Sequence, residues 1–272
     1  MDTVVVTGSF DDICSRDLRF LEEAAKLGML HVLLWSDDVA QALEGRAPRF
    51  PEAERQYFLQ AVRYVDHLSL ITEPFAPDTL PQVAGLTPGA WGIQTTEDTP
   101  QKRAYCTAHN LAYRMLTDAD LVGFPNAEPS CTACNTRPRV LVTGCYDWLH
   151  SGHVRFFEEV SALGDLYVVV GNDANVELLK GAGHPLIKQD ERRYVVQSIR
   201  YVRQALISTG SGWLDAEPEI ARIRPDIYAV NEDGDKPEKR AFCQEHGLEY
   251  VVLKRLPKEG LTRRNSTDLR GF

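Results

Sequence analysis

The chain has 272 residues, 43% of them hydrophobic and 25% charged, with a formal net charge of −9. That is long for one domain and comfortable for two, with an ordinary soluble composition that can fill two cores. The acidic balance argues against a nucleic-acid partner, because binding a phosphate backbone needs a basic surface, while a local basic pocket for nucleotide phosphates remains compatible with it.

The first residues lack a basic region followed by an apolar core and cleavage site, and no apolar run approaches a membrane span. A cytoplasmic location and no membrane contact are therefore expected. Six cysteines, Cys14, Cys106, Cys131, Cys134, Cys145 and Cys243, are too sparse for a disulfide scaffold and read as reduced thiols.

An internal repeat organises the chain. From Val4, VVVTGSFDDICSRDLRFLEEAAKLGMLHVLLWSDD aligns without a gap with VLVTGCYDWLHSGHVRFFEEVSALGDLYVVVGNDA from Val140. Further on, ERQYFLQAVRYV from Glu54 matches ERRYVVQSIRYV from Glu191, and KRAYCTAHNLAY from Lys102 matches KRAFCQEHGLEY from Lys239. The chain is two copies of one fold, residues 1–123 and 139–272. Between them, residues 124–138 are rich in proline, small and polar residues and read as a linker.

In the second copy the pattern predicts strands near Val140, over 166–170, 227–230 and 250–253. Helices are predicted from His150, over 192–202 and over 237–246. That alternation implies βαβ crossovers and a parallel sheet with helices on both faces. The fold class is α/β, two tandem Rossmann-like doubly wound parallel-sheet domains, and a nucleotide would sit at the carboxyl ends of the strands.

Val140 to Thr143 read as a buried strand, Gly144 turns the chain, and His150-Ser151-Gly152-His153 opens a helix. A helix N-terminus offers unpaired N–H groups and a partial positive charge to a phosphate. Two histidines three apart share one face of its first turn, and Gly152 between them leaves room for a phosphate chain to lie against the backbone. Residues 144–153, GCYDWLHSGH, resemble the G-x-[FY]-D-x-x-H-x-G-H signature of the HxGH nucleotidyltransferase superfamily, which includes cytidylyltransferases and several small-molecule adenylyltransferases. The resemblance implies attack of an acceptor phosphate on the α-phosphate of a nucleoside triphosphate, with release of pyrophosphate. It makes His150 and His153 catalytic and puts Gly144, Tyr146, Asp147 and Gly152 in the nucleotide site.

The first copy departs from this pattern. Asp11 matches Asp147, but Cys14 faces His150, Arg16 faces Gly152 and Asp17 faces His153. An aspartate in the place of the second histidine would repel a triphosphate. Residues 1–123 therefore read as a catalytically silent copy and 139–272 as the working one. Arg63-Tyr64-Val65-Asp66 resembles the R-Y-V-D-E-V segment near the dimer interface of cytidylyltransferases, and Arg200-Tyr201-Val202-Arg203 is a partial match. The resemblance implies an intrachain pseudo-dimer, as in the tandem ethanolamine-phosphate cytidylyltransferases, with a further homodimer left open and Arg200 assigned to the nucleotide. The other reading makes the tyrosines and valines core residues at a helix end.

Lys180 opens KGAGHPLIKQDERRYVV. It resembles the phosphate-side loop of the superfamily, and its spacing to Arg192 is similar to that in heptose-phosphate adenylyltransferases. Lys180 would set a point charge on the developing negative charge. Lys188 is a second candidate or a solvated loop lysine, and Arg192 ties its helix to the loop through a carboxylate. Asn231-Glu232-Asp233-Gly234 holds the place of the G-D-D loop of glycerol-phosphate cytidylyltransferases, which puts Asn231 and Asp233 near the base and ribose, with Asn231 replacing the family glycine. Residues 263–270, RRNSTDLR, resemble the I-S-S-T-x-x-R closing motif of adenylyltransferases. That motif places Ser266 and Thr267 at a helix start facing phosphate and Arg270 at the β- and γ-phosphates, with Arg263 or Arg264 adding charge.

The tandem arrangement and the Arg-Tyr-Val segments favour CTP and transfer of CMP, whereas the Lys180 loop and the tail favour ATP. Mg²⁺ is expected as cofactor, because the charge of a triphosphate attacked by a phosphate must be neutralised. Asp147 either contacts that metal or its water, or caps the helix. The acceptor implied is a small phosphorylated alcohol, amino alcohol, polyol or sugar, with Arg155 or linker residues near its phosphate. Cys106 and His109 (C-x-x-H) with Cys131 and Cys134 (C-x-x-C) are four candidate zinc ligands, but the second copy repeats Cys243 and His246 without a second pair. Two other classes remain: a non-catalytic nucleotide sensor or scaffold, which need not retain both histidines, and a redox or zinc-dependent interaction module on Cys131 and Cys134.

Overall fold

Val4-Val5-Val6 and Val140-Leu141-Val142 are almost wholly removed from solvent, as runs that alternate between two helix-covered faces must be. Each is the middle strand of its own sheet in the computed structural model, which describes residues 2–126 and 136–265. The chain divides into two compact units, 1–123 and 124–272.

The first unit contains β1 (Thr3–Gly8), α1 (Ser15–Ala25), β2 (Met29–Trp35), α2 (Asp37–Glu44), α3 (Glu52–Ala61), β3 (His67–Ile71), β4 (Ala90–Gln94), α4 (Pro100–Ala108) and β5 (Ala112–Leu116). The second repeats it as β6 (Arg139–Gly144), α5 (Ser151–Leu163), β7 (Asp165–Val170), α6 (Asp173–Lys180), α7 (Gln189–Gln197), β8 (Val202–Ile207), α8 (Glu217–Ile223), β9 (Ile227–Asn231), α9 (Pro237–His246) and β10 (Glu249–Leu253). Both sheets have five parallel strands, ordered β3-β2-β1-β4-β5 and β10-β9-β6-β7-β8. The direction in which successive strands are added reverses at β1 in one and β6 in the other, the switch point at which α/β sheets open a crevice. Along β6 every residue from Arg139 to Gly144 pairs with β7, but only Val140 and Leu141 pair with β9. The strands therefore part beyond Leu141 and leave the carboxyl end of β6 open on one side.

Four elements differ from the sequence expectation. The helix expected over 192–202 ends at Gln197, and β8 follows it. Gln197 turns the chain by accepting the Ala205 N–H at 2.7 Å. The interleaved Arg203 and Gln204 weaken the strand's apolar signal. α6 and α8 are short helices that periodicity did not reveal. α6 starts where the Asn172 side chain accepts the Asn175 N–H and stops at Gly181 (φ +91°), so Lys180 is a helix end rather than a loop residue. The start of the expected linker belongs to the second unit, where Phe124 packs against Tyr194 and its carbonyl accepts from Arg193 at 2.8 Å. Among the described residues no helix is long and apolar enough to cross a membrane.

Arg192 is 1% exposed and braces the second unit. Its guanidinium donates to the Ile187 carbonyl (2.8 Å), the Cys145 carbonyl (2.6 Å) and the Asp173 carboxylate (2.8 Å). Arg55 repeats all three bonds in the first unit, to Phe50, Ser9 and Asp37. Replacing Arg192 by alanine strands two carbonyls and a carboxylate, so we expect a loss on the order of 3 kcal/mol in urea unfolding, against less than about 0.5 for the exposed Lys188→Ala. Equal losses for the two variants would show that the brace does not carry the fold.

Candidate active site

At the open end of β6 the backbone is forced into shape by one ring. Tyr146 adopts φ +52° and folds its ring over Gly144, where a Cβ would stand 2.7 Å from Tyr146 Cζ. Only glycine fits beneath it. The ring then meets His153 edge-on at 5.4 Å and packs on Phe157 at 5.3 Å. Asp147, 3% exposed, accepts the Ile187 N–H at 2.9 Å and lies 3.7 Å from His184. Its counterpart Asp11 accepts from Arg49 and Phe50 in the same way. The shared aspartate thus anchors the loop before α7 or α3. It does not cap α5.

His150 is the N-cap of α5, and its Nδ1 accepts the Gly152 N–H at 3.1 Å. His153 Nδ1 accepts the His150 N–H at 3.4 Å, and the two rings lie 4.0 Å apart. A ring nitrogen that accepts carries no proton, so each neutral imidazole bears its hydrogen on Nε2. His150 Nε2 is buried, with no hydrogen-bond partner among the described residues, and its ring lines the cleft. Burial, with repulsion from Arg255 and Arg264, pushes His150 down to about 4. Burial, then His150, Arg255 and Lys180, hold His153 well below the ordinary histidine range. Both are neutral at pH 7, so in the empty cleft each presents an N–H donor rather than a charge.

The cleft measures about 260 Å³ and collects Gly144, Tyr146, Asp147, His150, Gly152, His153, Lys180, Asn231 and Asp233 from the sequence-predicted site. Gly152 lines it, but the close approach it permits is that of the His150 ring, 2.9 Å from where a Cβ would stand.

The sequence model of the family described as Cytidylyltransferase-like matches residues 141–255. The FAD synthase of Aciduliprofundum boonei is 37% identical over 132 residues, 47% of this chain and 85% of that one. The FAD synthase of Thermococcus kodakarensis is 38% identical over 119 residues, covering 43% and 78%. The bifunctional protein HldE of Campylobacter concisus is 36% identical over 95 residues, 35% of this chain and 20% of that one. The chain belongs to the HxGH nucleotidyltransferase superfamily.

This nucleotidyltransferase-family site also holds two cations that the sequence reading passed over, Lys239 and Arg255. Lys239 begins the KRAF repeat, whose Cys-x-x-His spacing drew attention away from it. Arg255 pairs with Asp233 at 2.6 Å and donates to the Arg264 carbonyl at 3.3 Å. Extending the comparison of the two copies would have found it, because its counterpart is Asp118, just as that of Lys180 is Glu44. In the first unit Arg16, where the second has Gly152, bonds to Asp118 and Gln94.

Other expected residues lie elsewhere. Arg200 is an exposed turn residue before β8 and does not line the cleft. Arg155 pairs with Glu158 and Glu159 along α5 at 2.9 and 2.7 Å, as Arg19 does with Glu22 and Glu23. Lys188 is exposed and 3.8 Å from Asp173. Arg263 and Arg264 line a narrow groove beside Gly152 and Asn231. Cys106 is buried in the first unit's core beside Trp91, whereas His109 is exposed, donates to the Tyr105 carbonyl and stacks on that ring. Cys243 and His246 repeat this with Phe242. The C-x-x-H spacing is therefore a helix-end packing unit that turns thiol and imidazole to opposite sides. Cys131, Cys134, Ser266, Thr267 and Arg270 lie outside the described residues.

The depressed histidines give stability a pH dependence. Unfolded histidines bind protons from ~6.5 downward, before the folded ones do, so stability is full above that pH and falls as pH drops toward 4. We expect a thermal midpoint that declines from pH 7 to 4.5, by on the order of 2–3 kcal/mol in stability, and a flatter profile in His150→Gln/His153→Gln. Parallel profiles would assign the acid sensitivity elsewhere.

Proposed function

We propose that the second copy transfers a nucleoside monophosphate from a nucleoside triphosphate to the phosphate of a small acceptor, with ATP as donor. The observation that carries this is the pair of neutral imidazoles, each fixed through Nδ1 so that Nε2–H is its free donor, in a cleft that also holds Lys180, Lys239 and Arg255. An oxygen of the acceptor phosphate attacks the α-phosphorus. The bond from that phosphorus to the oxygen bridging the β-phosphorus breaks, and pyrophosphate leaves with the bonding electrons. A phosphate monoester is largely ionised at pH 7, so no base is needed. The protein's contribution is positioning and stabilisation of charge, which neutral N–H donors and flanking cations supply.

A divalent ion would arrive as the magnesium–nucleotide complex. Asp147 accepts the Ile187 N–H and Asp233 pairs with Arg255, and among the described residues no group of three His, Cys, Asp or Glu side chains is placed to hold a resident metal. ATP is favoured over CTP because the similar proteins include several named FAD synthase, whose named product carries an adenylyl group. The family's cytidylyltransferase-like description keeps CTP as the second reading. The first copy is proposed to be catalytically silent: Asp17, Glu44 and Asp118 replace His153, Lys180 and Arg255.

Pyrophosphate release from ATP or CTP, measured with a panel of phosphate acceptors, tests the assignment. His153→Ala should lower kcat by about 10²–10³-fold, as removal of one transition-state donor does, while Asp17→Ala in the first copy leaves it within about twofold. An undiminished rate in His153→Ala would move the chemistry away from this cleft.

A further inference from the structure

Parallel pairing in the first unit sets His31 of β2 directly beside His67, the first residue of β3. Register partners on adjacent strands point to the same face of a sheet, so the two imidazoles are neighbours. Their ring centres are 5.6 Å apart and their planes are inclined at 45°. Ser69, two residues further along β3, faces the same side, and its hydroxyl lies 2.8 Å from His31 Nε2.

These three residues stand at the rim of an apolar face. Leu33 and Ile71, two residues beyond His31 and Ser69 on the same strands, belong to the buried core with Val5 and Trp91. In the second copy the matching positions hold Tyr167, Gln204 and Leu206, and there Tyr167 and Leu206 pack against the corresponding core. The first copy has thus exchanged apolar contact at the rim for two imidazoles and a hydroxyl. β3 is an edge strand and His67 is exposed, so solutes reach the pair from solvent. The cluster lies toward the amino ends of β2 and β3, away from Gly8, which is the counterpart of Gly144.

The spacing suits a shared ion. An imidazole nitrogen binds zinc at about 2.0 Å, which puts the ring centres of two imidazoles on one tetrahedral ion roughly 5 Å apart. The sheet ladder holds the two backbones close to that separation before any ion arrives. A ligating histidine commonly donates its other ring N–H to an oxygen that fixes its tautomer, and the Ser69 hydroxyl stands where His31 needs such an acceptor. Among the described residues no third His, Cys, Asp or Glu joins the pair. Water must therefore fill the remaining positions, which makes the site open and exchangeable rather than a closed structural one.

We propose that His31 and His67 form a two-histidine site for a divalent transition-metal ion of the nickel, copper and zinc class, with Ser69 fixing the His31 tautomer and water completing the coordination. The bound ion clamps the edge strand β3 to β2. The site belongs to the first copy alone and does not depend on the nucleotide chemistry proposed for the second.

The test uses Ni²⁺, which suits imidazole, in a chain whose cysteines would compete for softer ions. Ni²⁺ is titrated into the full chain carrying isotope-labelled histidine, and each ring is followed by NMR, because the paramagnetic ion broadens the rings that bind it. The His31 and His67 resonances should broaden together and first, ahead of those of His109, His246, His150 and His153. By calorimetry, Ni²⁺ affinity should fall by about tenfold in Ser69→Ala and by at least that much in His31→Gln and His67→Gln. Saturating Ni²⁺ should raise the thermal midpoint of the parent but not that of His67→Gln. Because His67 is exposed and the second copy has glutamine in its place, His67→Gln should melt like the parent without nickel. Broadening of any other histidine at the same nickel concentration as His31 and His67, or an undiminished affinity in His67→Gln, would overturn the proposal.

Discussion

One buried guanidinium sets the geometry on which the second unit's candidate site depends. A charge this deep is tolerated only when it is paired and hydrogen-bonded, and each of the three Arg192 nitrogens has a partner, on segments far apart in sequence. It fixes the Cys145 carbonyl, immediately before Tyr146 and its left-handed turn. It fixes Ile187, whose N–H is held by Asp147. It also fixes Asp173, at the start of the helix that ends in Lys180. The turn that places the histidines and the helix that places the lysine are therefore one connected object. Arg55, Asp11 and the Phe10 ring over Gly8 build the same object in the first unit, so the scaffold precedes the site in physical terms.

On that common scaffold the two copies carry opposite electrostatics. His153, Lys180 and Arg255 are replaced by Asp17, Glu44 and Asp118, and Gly152 by Arg16. At a few ångströms, carboxylates in place of two cations and a neutral donor would repel a polyphosphate that the second unit's residues would attract. Asp17 also takes over a backbone duty. Its carboxylate accepts the Cys14 N–H, where His153 Nδ1 accepts that of His150, so the helix start survives while its donor to an anion is lost. The Arg16 side chain bonds to Asp118 and Gln94, meeting internally a charge that a ligand would otherwise have to meet.

Much of this was legible because local pattern and global structure agree. The parallel sheet follows from apolar strands separated by helical stretches, and the junction at Gly144 to His153 from six fixed positions in ten. Other features were hidden for identifiable reasons. The function of Asp147 could be seen only once Ile187 stood beside it, since a carboxylate in a phosphate motif reads equally as ligand, cap or anchor. Gly152 was expected to admit a phosphate chain, whereas the group that stands close to it is the neighbouring imidazole, which no spacing rule reveals. Arg200 and Arg155 carry charges near the motif in sequence, yet one stands at an exposed turn and the other is absorbed by Glu158 and Glu159. Lys239 and Arg255 reach the cleft from α9 and the end of β10, so only the folded sheet brings them to His150.

The division between neutral and charged donors follows from where charge changes in the proposed reaction. Two protonated imidazoles 4.0 Å apart, beside Arg255 and Lys180, would repel one another and be costly to bury. Neutral rings avoid that cost and still direct N–H dipoles whose strength is enhanced in a partly desolvated cleft. Binding of a triphosphate supplies the negative charge that favours protonation, so the histidines should gain protons more readily in the complex than in the free protein. Lys180, Lys239 and Arg255 keep fixed charge at the cleft regardless, which suits the oxygens that are ionised throughout. The imidazoles are then the adjustable element, neutral when the cleft is empty of anion and able to share in the charge that develops as pyrophosphate departs.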